Sequence, residues 1–151
     1  MQVRDLMTPD PAACLPTDSC AAAGELMRLR RCGCLPVVED RATQRVVGIV
    51  TDRDVALHLA QADRPASQVP VQACMTGDPK TVGPEEELEE AAAAMEAIAV
   101  HRLPVVERGR LVGVLSLKDI ARAARRQWAR SGPNVAERQM TEIIEAIAAA
   151  R

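Results

Sequence analysis

The chain contains no phenylalanine, no tyrosine and a single tryptophan, Trp128. A core built without rings is filled by Val, Ile, Leu, Met and Ala, which interdigitate well but need many residues to bury the same area. Single-stranded nucleic acid is usually held by stacking on aromatic platforms, so the lack of them speaks against that partner. Only two histidines are present, His58 and His101, which leaves few acid–base candidates. His58 falls in a helical pattern, no Ser or Cys has an evident base partner, and no catalysis is expected. No apolar run approaches the roughly 20 residues needed to cross a bilayer, and no charged and then apolar leader opens the chain. A cytoplasmic protein without membrane contact is therefore expected. The five cysteines (Cys14, Cys20, Cys32, Cys34 and Cys74) are odd in number and form no dense framework. Cys32 and Cys34 have one residue between them rather than the two usual for zinc ligands, and they would share one face of a strand. The cysteines are read as small core hydrophobes, with no metal and no required cofactor.

The 151 residues, 48% hydrophobic and 26% charged with a net charge of −2, describe an ordinary globular chain of one domain or two small ones sharing a core. Its informative feature is an internal repeat. Met7-Thr8-Pro9-Asp10-Pro11 recurs 68 positions later as Met75-Thr76-Gly77-Asp78-Pro79, and Leu35-Pro36-Val37-Val38-Glu39 as Leu103-Pro104-Val105-Val106-Glu107. Val46-Val47-Gly48-Ile49-Val50-Thr51 then matches Leu111-Val112-Gly113-Val114-Leu115-Ser116 at 65. The three missing residues fall at 40–45 in the first copy and 108–110 in the second, which marks a surface hairpin.

Each copy reads as a short extended segment (Cys14-Leu15, Thr81-Val82), a helix, two strands and a second helix. The first helix is opened by Pro16-Thr17-Asp18 or Pro84-Glu85-Glu86-Glu87, whose acids suit the positive end of the helix dipole. Leu26, Met27 and Leu29 supply its apolar face in the first copy, and Leu88, Ala91, Ala92, Met95 and Ala99 in the second. The strands fall at 35–39 and 46–51, and at 103–107 and 111–116; the second helices at 52–62 and 117–130. The expected fold is α/β (α+β): two subdomains at 1–66 and 67–130, each a small three-strand sheet with two helices on one face, packed sheet to sheet. Residues 63–70 read as the linker. An extension at 131–151 follows the stop signal Gly132-Pro133, and its helix would carry Met140, Ile143, Ile144 and Ile147 on one face. That face covers apolar surface of its own chain or of a second copy, or docks a partner.

One pattern with chemical content occurs in both copies: Thr51-Asp52-Arg53-Asp54 and Ser116-Leu117-Lys118-Asp119. Each puts a hydroxyl at a strand end and a carboxylate three residues later, in the first turn of a helix. This is close to a capping box, in which both side chains satisfy backbone N–H groups. It also suits a carboxylate that accepts hydrogen bonds from vicinal ribose hydroxyls, with the Ser/Thr hydroxyl and the helix N-terminus near a phosphate. Capping does not account for Arg53 and Lys118, or for Gly48 and Gly113, which would allow close backbone approach. His101-Arg102, ahead of the second Leu-Pro-Val-Val strand, is a cationic pair suited to an anionic group. The first copy has Gly33-Cys34 there, so the two candidate pockets are unequal.

Taken together and in order, these motifs make residues 1–128 resemble a tandem pair of CBS domains, a Bateman module. The resemblance implies a pseudo-twofold module whose inter-repeat clefts bind adenosine-containing ligands such as AMP, ADP, ATP or S-adenosylmethionine. It implies that Thr51 and Asp54, and Ser116 and Asp119, meet phosphate and ribose, and that His101 and Arg102 meet phosphate. Leu35, Pro36 and Val37, with Leu103, Pro104 and Val105, match the stretches that hold adenine. The resemblance further implies a stand-alone, disc-like homodimer that senses a ligand and signals to a protein partner through a conformational shift. The competing reading is a scaffold whose clefts have lost ligand affinity. A third, nucleic-acid binding by the basic stripe Arg122, Arg126 and Arg130 with Arg125 beside it, is disfavoured by the sequence pI of about 5.7.

Overall fold

In the computed structural model, which describes residues 1–131 (side chains to Arg126) together with Thr141, Ile144 and Glu145, the sequence repeat is a repeat of local geometry. Apart from those three residues, the helix expected at 134–151 lies outside the described residues. In chain order the elements are β1 (Thr8–Pro9), α1 (Cys20–Arg30), β2 (Cys34–Val38), β3 (Val46–Thr51), α2 (Asp52–Ala62), β4 (Thr76–Gly77), α3 (Leu88–Ala97), β5 (Arg102–Glu107), β6 (Arg110–Ser116) and α4 (Leu117–Ser131).

The first helix of each repeat is entered through a side-chain-closed turn. Asp18 accepts from Leu15 N at 2.8 Å, and Glu86 accepts from Gly83 N at 2.6 Å. Asp18 therefore does not lie in the first turn of α1, which carries no acid there; Ser19 is the cap, accepting from Ala22 N. In α3 the first turn holds Glu89 and Glu90, whereas the expected acids Glu85, Glu86 and Glu87 precede it, Glu87 as the N-cap residue. Both helices end alike, with Cys32 N donating to Met27 O and Val100 N to Met95 O, each at 3.0 Å. The residues before these donors, Arg31 and Ala99, take the left-handed conformation at φ 52°. Ala99 is thus beyond the helix and exposed, a correction to its expected place on the buried face. Leu29 is likewise corrected: it is 62% exposed, because two residues from Met27 is about 200° around a helix. The buried faces are Cys20, Ala23 and Met27 in α1, and Leu88, Ala91, Ala92 and Met95 in α3.

Two three-stranded sheets form, in the orders β2-β3-β4 and β1-β6-β5. The length difference between the repeats falls in the hairpins, as expected. In the first hairpin Asp40 accepts from Ala42 N, Thr43 N and Thr43 Oγ1. The second is a two-residue turn, Arg108-Gly109, with both φ angles positive, as the twist of paired strands requires. The third strand of each sheet is not the extended segment expected from the sequence. Those segments make single parallel bridges, Cys14 to Val37 and Val82 to Val105. The third strand comes instead from Met-Thr-x-Asp of the opposite repeat: Thr8 pairs with Val114 in β6, and Thr76 with Ile49 in β3.

That exchange accounts for the motif residue by residue. A Cβ on Gly113 would lie 2.5 Å from Met7 Sδ, and one on Gly48 2.7 Å from Met75 Sδ. The two glycines exist to admit the methionines and the strand behind them, which replaces the reading that they admit a ligand. Asp10 and Asp78 are left-handed at φ 46° and turn the chain out of the strand, their N–H groups donating to Val112 O and Val47 O. One compact unit accordingly comprises Met1–Pro9, Thr81–Val105 and the chain from Gly113, and the other Asp10–Lys80 and Val106–Val112. Val3, Leu88, Met95, Leu103, Leu115 and Ile120 are fully buried in the first. Val37, Leu35, Val50 and Val71 are fully buried in the second, in a cluster that includes Cys14 and Met27. Each such aliphatic side chain contributes about 1.5–3 kcal/mol relative to exposure. No helix among the described residues is long and apolar enough to cross a membrane.

Candidate functional site

The two Ser/Thr-x-x-Asp sequences stand where a strand runs into a helix without a loop. In the first, Thr51 N donates to Asp54 Oδ2 at 2.9 Å and Asp54 N to Thr51 Oγ1 at 3.1 Å. In the second, Ser116 N donates to Asp119 Oδ2 at 3.0 Å and Asp119 N to Ser116 Oγ at 3.2 Å. Both capping boxes are complete, so the structural role read from the spacing is real. They differ in the hydroxyl proton. Ser116 Oγ donates to Asp119 Oδ2 at 2.5 Å, whereas among the described residues the Thr51 hydroxyl only accepts. In both boxes the hydrogen bonds use Oδ2 of the aspartate. The Asp54 and Asp119 side chains are half-buried and the neighbouring Arg53 and Lys118 are exposed.

The strand that precedes each box is tied to it through the backbone. Leu117 N donates to His101 O at 2.9 Å, which brings the start of β5, with Arg102 as its first residue, to the end of β6. Asp52 N donates to Gly33 O at 3.2 Å, and Cys34 stands opposite Thr51 in the β2–β3 ladder. His101, Arg102, Ser116, Lys118 and Asp119 thus come together at one strand end, and Thr51, Arg53 and Asp54 at another beside Gly33 and Cys34. Leu35, Pro36 and Val37, and Leu103, Pro104 and Val105, are all buried. Pro36 O and Pro104 O already accept from Cys14 N and Val82 N, at 3.1 Å each.

Two cavities that no sequence pattern signals lie in the unit containing β2 and β3. One of about 620 Å³ is lined by Met27, Arg31, Cys32, Gly33, Asp52 and Val55, and so opens beside the first strand end. The other, about 530 Å³, follows Pro11 to Cys14 and is rimmed by Asp18, Arg30 and Arg41. Neither has a local signal, because their walls are assembled from segments far apart in sequence. Cys14, Cys20 and Cys34 are buried, as small core hydrophobes should be, while Cys32 and Cys74 are half-buried. Cys32 lies between α1 and β2 rather than on a strand with Cys34, a correction to the shared face expected for the two.

The family model of the CBS domain matches residues 3–61 and 68–126. The CBS domain-containing protein YhcV of Bacillus subtilis is 34% identical over 119 residues, covering 79% of this chain and 82% of that protein. Among solved structures, CBSX2 of Arabidopsis thaliana in complex with AMP matches with a TM-score of 0.69 at 30% identity, over 83% of this chain and 97% of that one. The CBS domain pair of protein MJ0100, in complex with 5′-methylthioadenosine and S-adenosyl-L-methionine, matches with a TM-score of 0.73 at 25% identity, over 84% and 98%.

Proposed function

The chain belongs to the CBS-domain family as a tandem pair, and on that premise we propose that it is a regulatory module that binds an adenosine-containing ligand and catalyses nothing itself. The ligand is AMP, ADP, ATP or S-adenosylmethionine. One observation carries the reading: both capping boxes are built around Oδ2, so Asp54 and Asp119 each keep Oδ1 for the hydroxyls of a ribose while still holding their helix. The helix N-terminus, with Thr51 and Arg53 or Ser116 and Lys118, suits the phosphate, and His101 and Arg102 add cationic donors on the second side. Leu35, Pro36, Val37, Leu103, Pro104 and Val105 back the base as buried walls rather than as exposed contacts. The ligands carried by CBSX2 and MJ0100 support the ligand class. The signal passes to a protein partner as a population shift. The working form is a homodimer, supported by α2, which has no buried residue and leaves Leu57 53% exposed. Five cysteines without a disulfide fit a reducing, cytoplasmic setting.

Titration calorimetry against AMP, ADP, ATP and S-adenosylmethionine tests this. Saturable binding is expected in the wild-type chain, with a loss of tenfold or more on Asp119→Asn, which keeps an oxygen for the cap but removes the charge. No binding to any of the four ligands, with Asp54→Ala and Asp119→Ala merely less stable, would leave the capping boxes as the whole explanation and make the protein a scaffold.

A further inference from the structure

Cys20 opens α1 and Cys74 follows the 3-10 turn Val71–Ala73, yet their Sγ atoms lie 3.4 Å apart across 54 residues of chain. The approach is built by the backbone. Cys20 N donates to Val69 O and Val71 N to Asp18 O, both at 2.8 Å, while Gln72 N donates to Pro16 O at 3.0 Å. Cys74 Sγ is further fixed by Val71 O at 3.4 Å. A disulfide needs about 2.05 Å between sulfurs, which small side-chain rotations supply when two backbones are already clamped together. Cys20 is only 1% exposed, whereas Cys74 is half-buried, so the two thiols differ in access.

We propose that Cys20 and Cys74 form a modification site for a small-molecule disulfide of the glutathione type, which oxidises them to an intramolecular disulfide. The half-buried Cys74 thiolate attacks one sulfur of the small disulfide, having released its proton to water. The S–S bond breaks, one small thiol leaves, and a mixed disulfide forms on Cys74. The Cys20 thiolate then attacks Cys74 Sγ, expels the second small thiol and closes the bridge. Two electrons pass from the cysteine pair to the small disulfide, which is reduced to two thiols. The product fastens the turn at 71–73 and β4 to the start of α1, and a small thiol in excess reverses it.

The surroundings set the speed. Burial first, then the hydrogen bond with Cys20, push the Cys74 thiol up to about 12, and the ionisable groups acting on it are Cys20, Asp54 and Cys14. Cys14 is itself pushed up to about 12, chiefly by burial. At neutral pH Cys74 therefore rests as a thiol, and oxidation runs through its small thiolate fraction. The site is a slow latch that answers sustained oxidising conditions rather than a brief pulse.

The test uses the full chain exposed to oxidised glutathione, with thiol titration, peptide mapping and thermal unfolding. Titratable thiols should fall from five to three, with the Cys20 and Cys74 peptides joined. The rate should rise about tenfold per pH unit between roughly pH 7 and 9. The unfolding midpoint should rise by about 5–10 °C and return on reduction. Cys74→Ser and Cys20→Ala should each abolish the link and the shift, and Cys14→Ala should preserve both. Five thiols surviving while the denaturant-unfolded chain oxidises, a bridge through Cys14 or Cys32, or a bridge that leaves or lowers the midpoint would each overturn the proposal.

Discussion

At the strand end beside each capping box, the first repeat has Gly33 and Cys34 where the second has His101 and Arg102; on the helical turn before it, the first has Arg28 and Arg31 where the second has Glu96 and Ala99. The backbone around these positions is the same in both. The helix-end bonds from Cys32 and Val100, the left-handed residues 31 and 99, and the bonds from Asp52 to Gly33 and Leu117 to His101 correspond one for one. What is shared satisfies main-chain groups; what differs is charge. The frame is therefore independent of the ligand chemistry, and each strand end can be tuned without touching the fold.

The largest expected effect breaks the frame. Gly113→Val and Gly48→Val should each cost about 3 kcal/mol in chemical denaturation, because both force a methionine from its seat. Met7→Ala should recover part of the first loss and none of the second, and Met75→Ala the reverse. Recovery by the wrong methionine would disprove the strand exchange. Next come the charges. His101→Gly should lower AMP affinity by about tenfold, and Gly33→His should raise affinity at the first strand end by a similar factor, both read by calorimetry. Equal affinities in all three proteins would mean that the asymmetry has no bearing on binding. A smaller change follows from the shared left-handed helix ends. Ala99→Gly should stabilise by about 0.5–1 kcal/mol, since alanine is strained at positive φ and glycine is not, less the extra freedom glycine gives the unfolded chain.

The smallest effect separates the hairpins. The Thr43 backbone and hydroxyl hold Asp40 below the usual carboxylate range, and the Arg45 guanidinium does the same for Glu39. Depressed values mean stabilisation that is present above about pH 4 and lost as pH falls through the folded-state value. The protection factors of the Ala42 and Thr43 amides, which correct for the intrinsic pH dependence of exchange, should therefore fall on acidification. The Arg108-Gly109 turn, set by backbone angles, should show no such dependence. Parallel behaviour of the two would show that the side-chain bonds at 40–43 contribute nothing.

Much of this was legible in the residues, and the omissions share a cause. The spacing of Thr51 with Asp54 and of Ser116 with Asp119 placed two helix starts, because a capping box is a local device. The alternation and indel placed both hairpins. The destination of Met7-Thr8 was not legible, since pairing with Val114 depends on a contact more than a hundred residues away and no nearby residue announces it. Ala99 was misplaced because alanine carries no sign of positive φ, and Leu29 because apolarity was weighed without its angle around the helix. The meeting of Cys20 with Cys74 is likewise invisible to any window shorter than their separation.

The exchanged strands also set an order of assembly on the ribosome. The sheet containing β2 and β3 can close as soon as Thr76 and Gly77 have emerged, ahead of β5 and β6. The other sheet cannot close until Gly113 and Val114 arrive, so Thr8 and Pro9 must wait unpaired while about a hundred further residues are made. The waiting segment is thus an open sheet-forming stretch in search of an edge, and in a polysome the nearest edge can belong to a neighbouring chain. Carrying the second repeat in the same polypeptide holds the correct edge at high effective concentration once it appears.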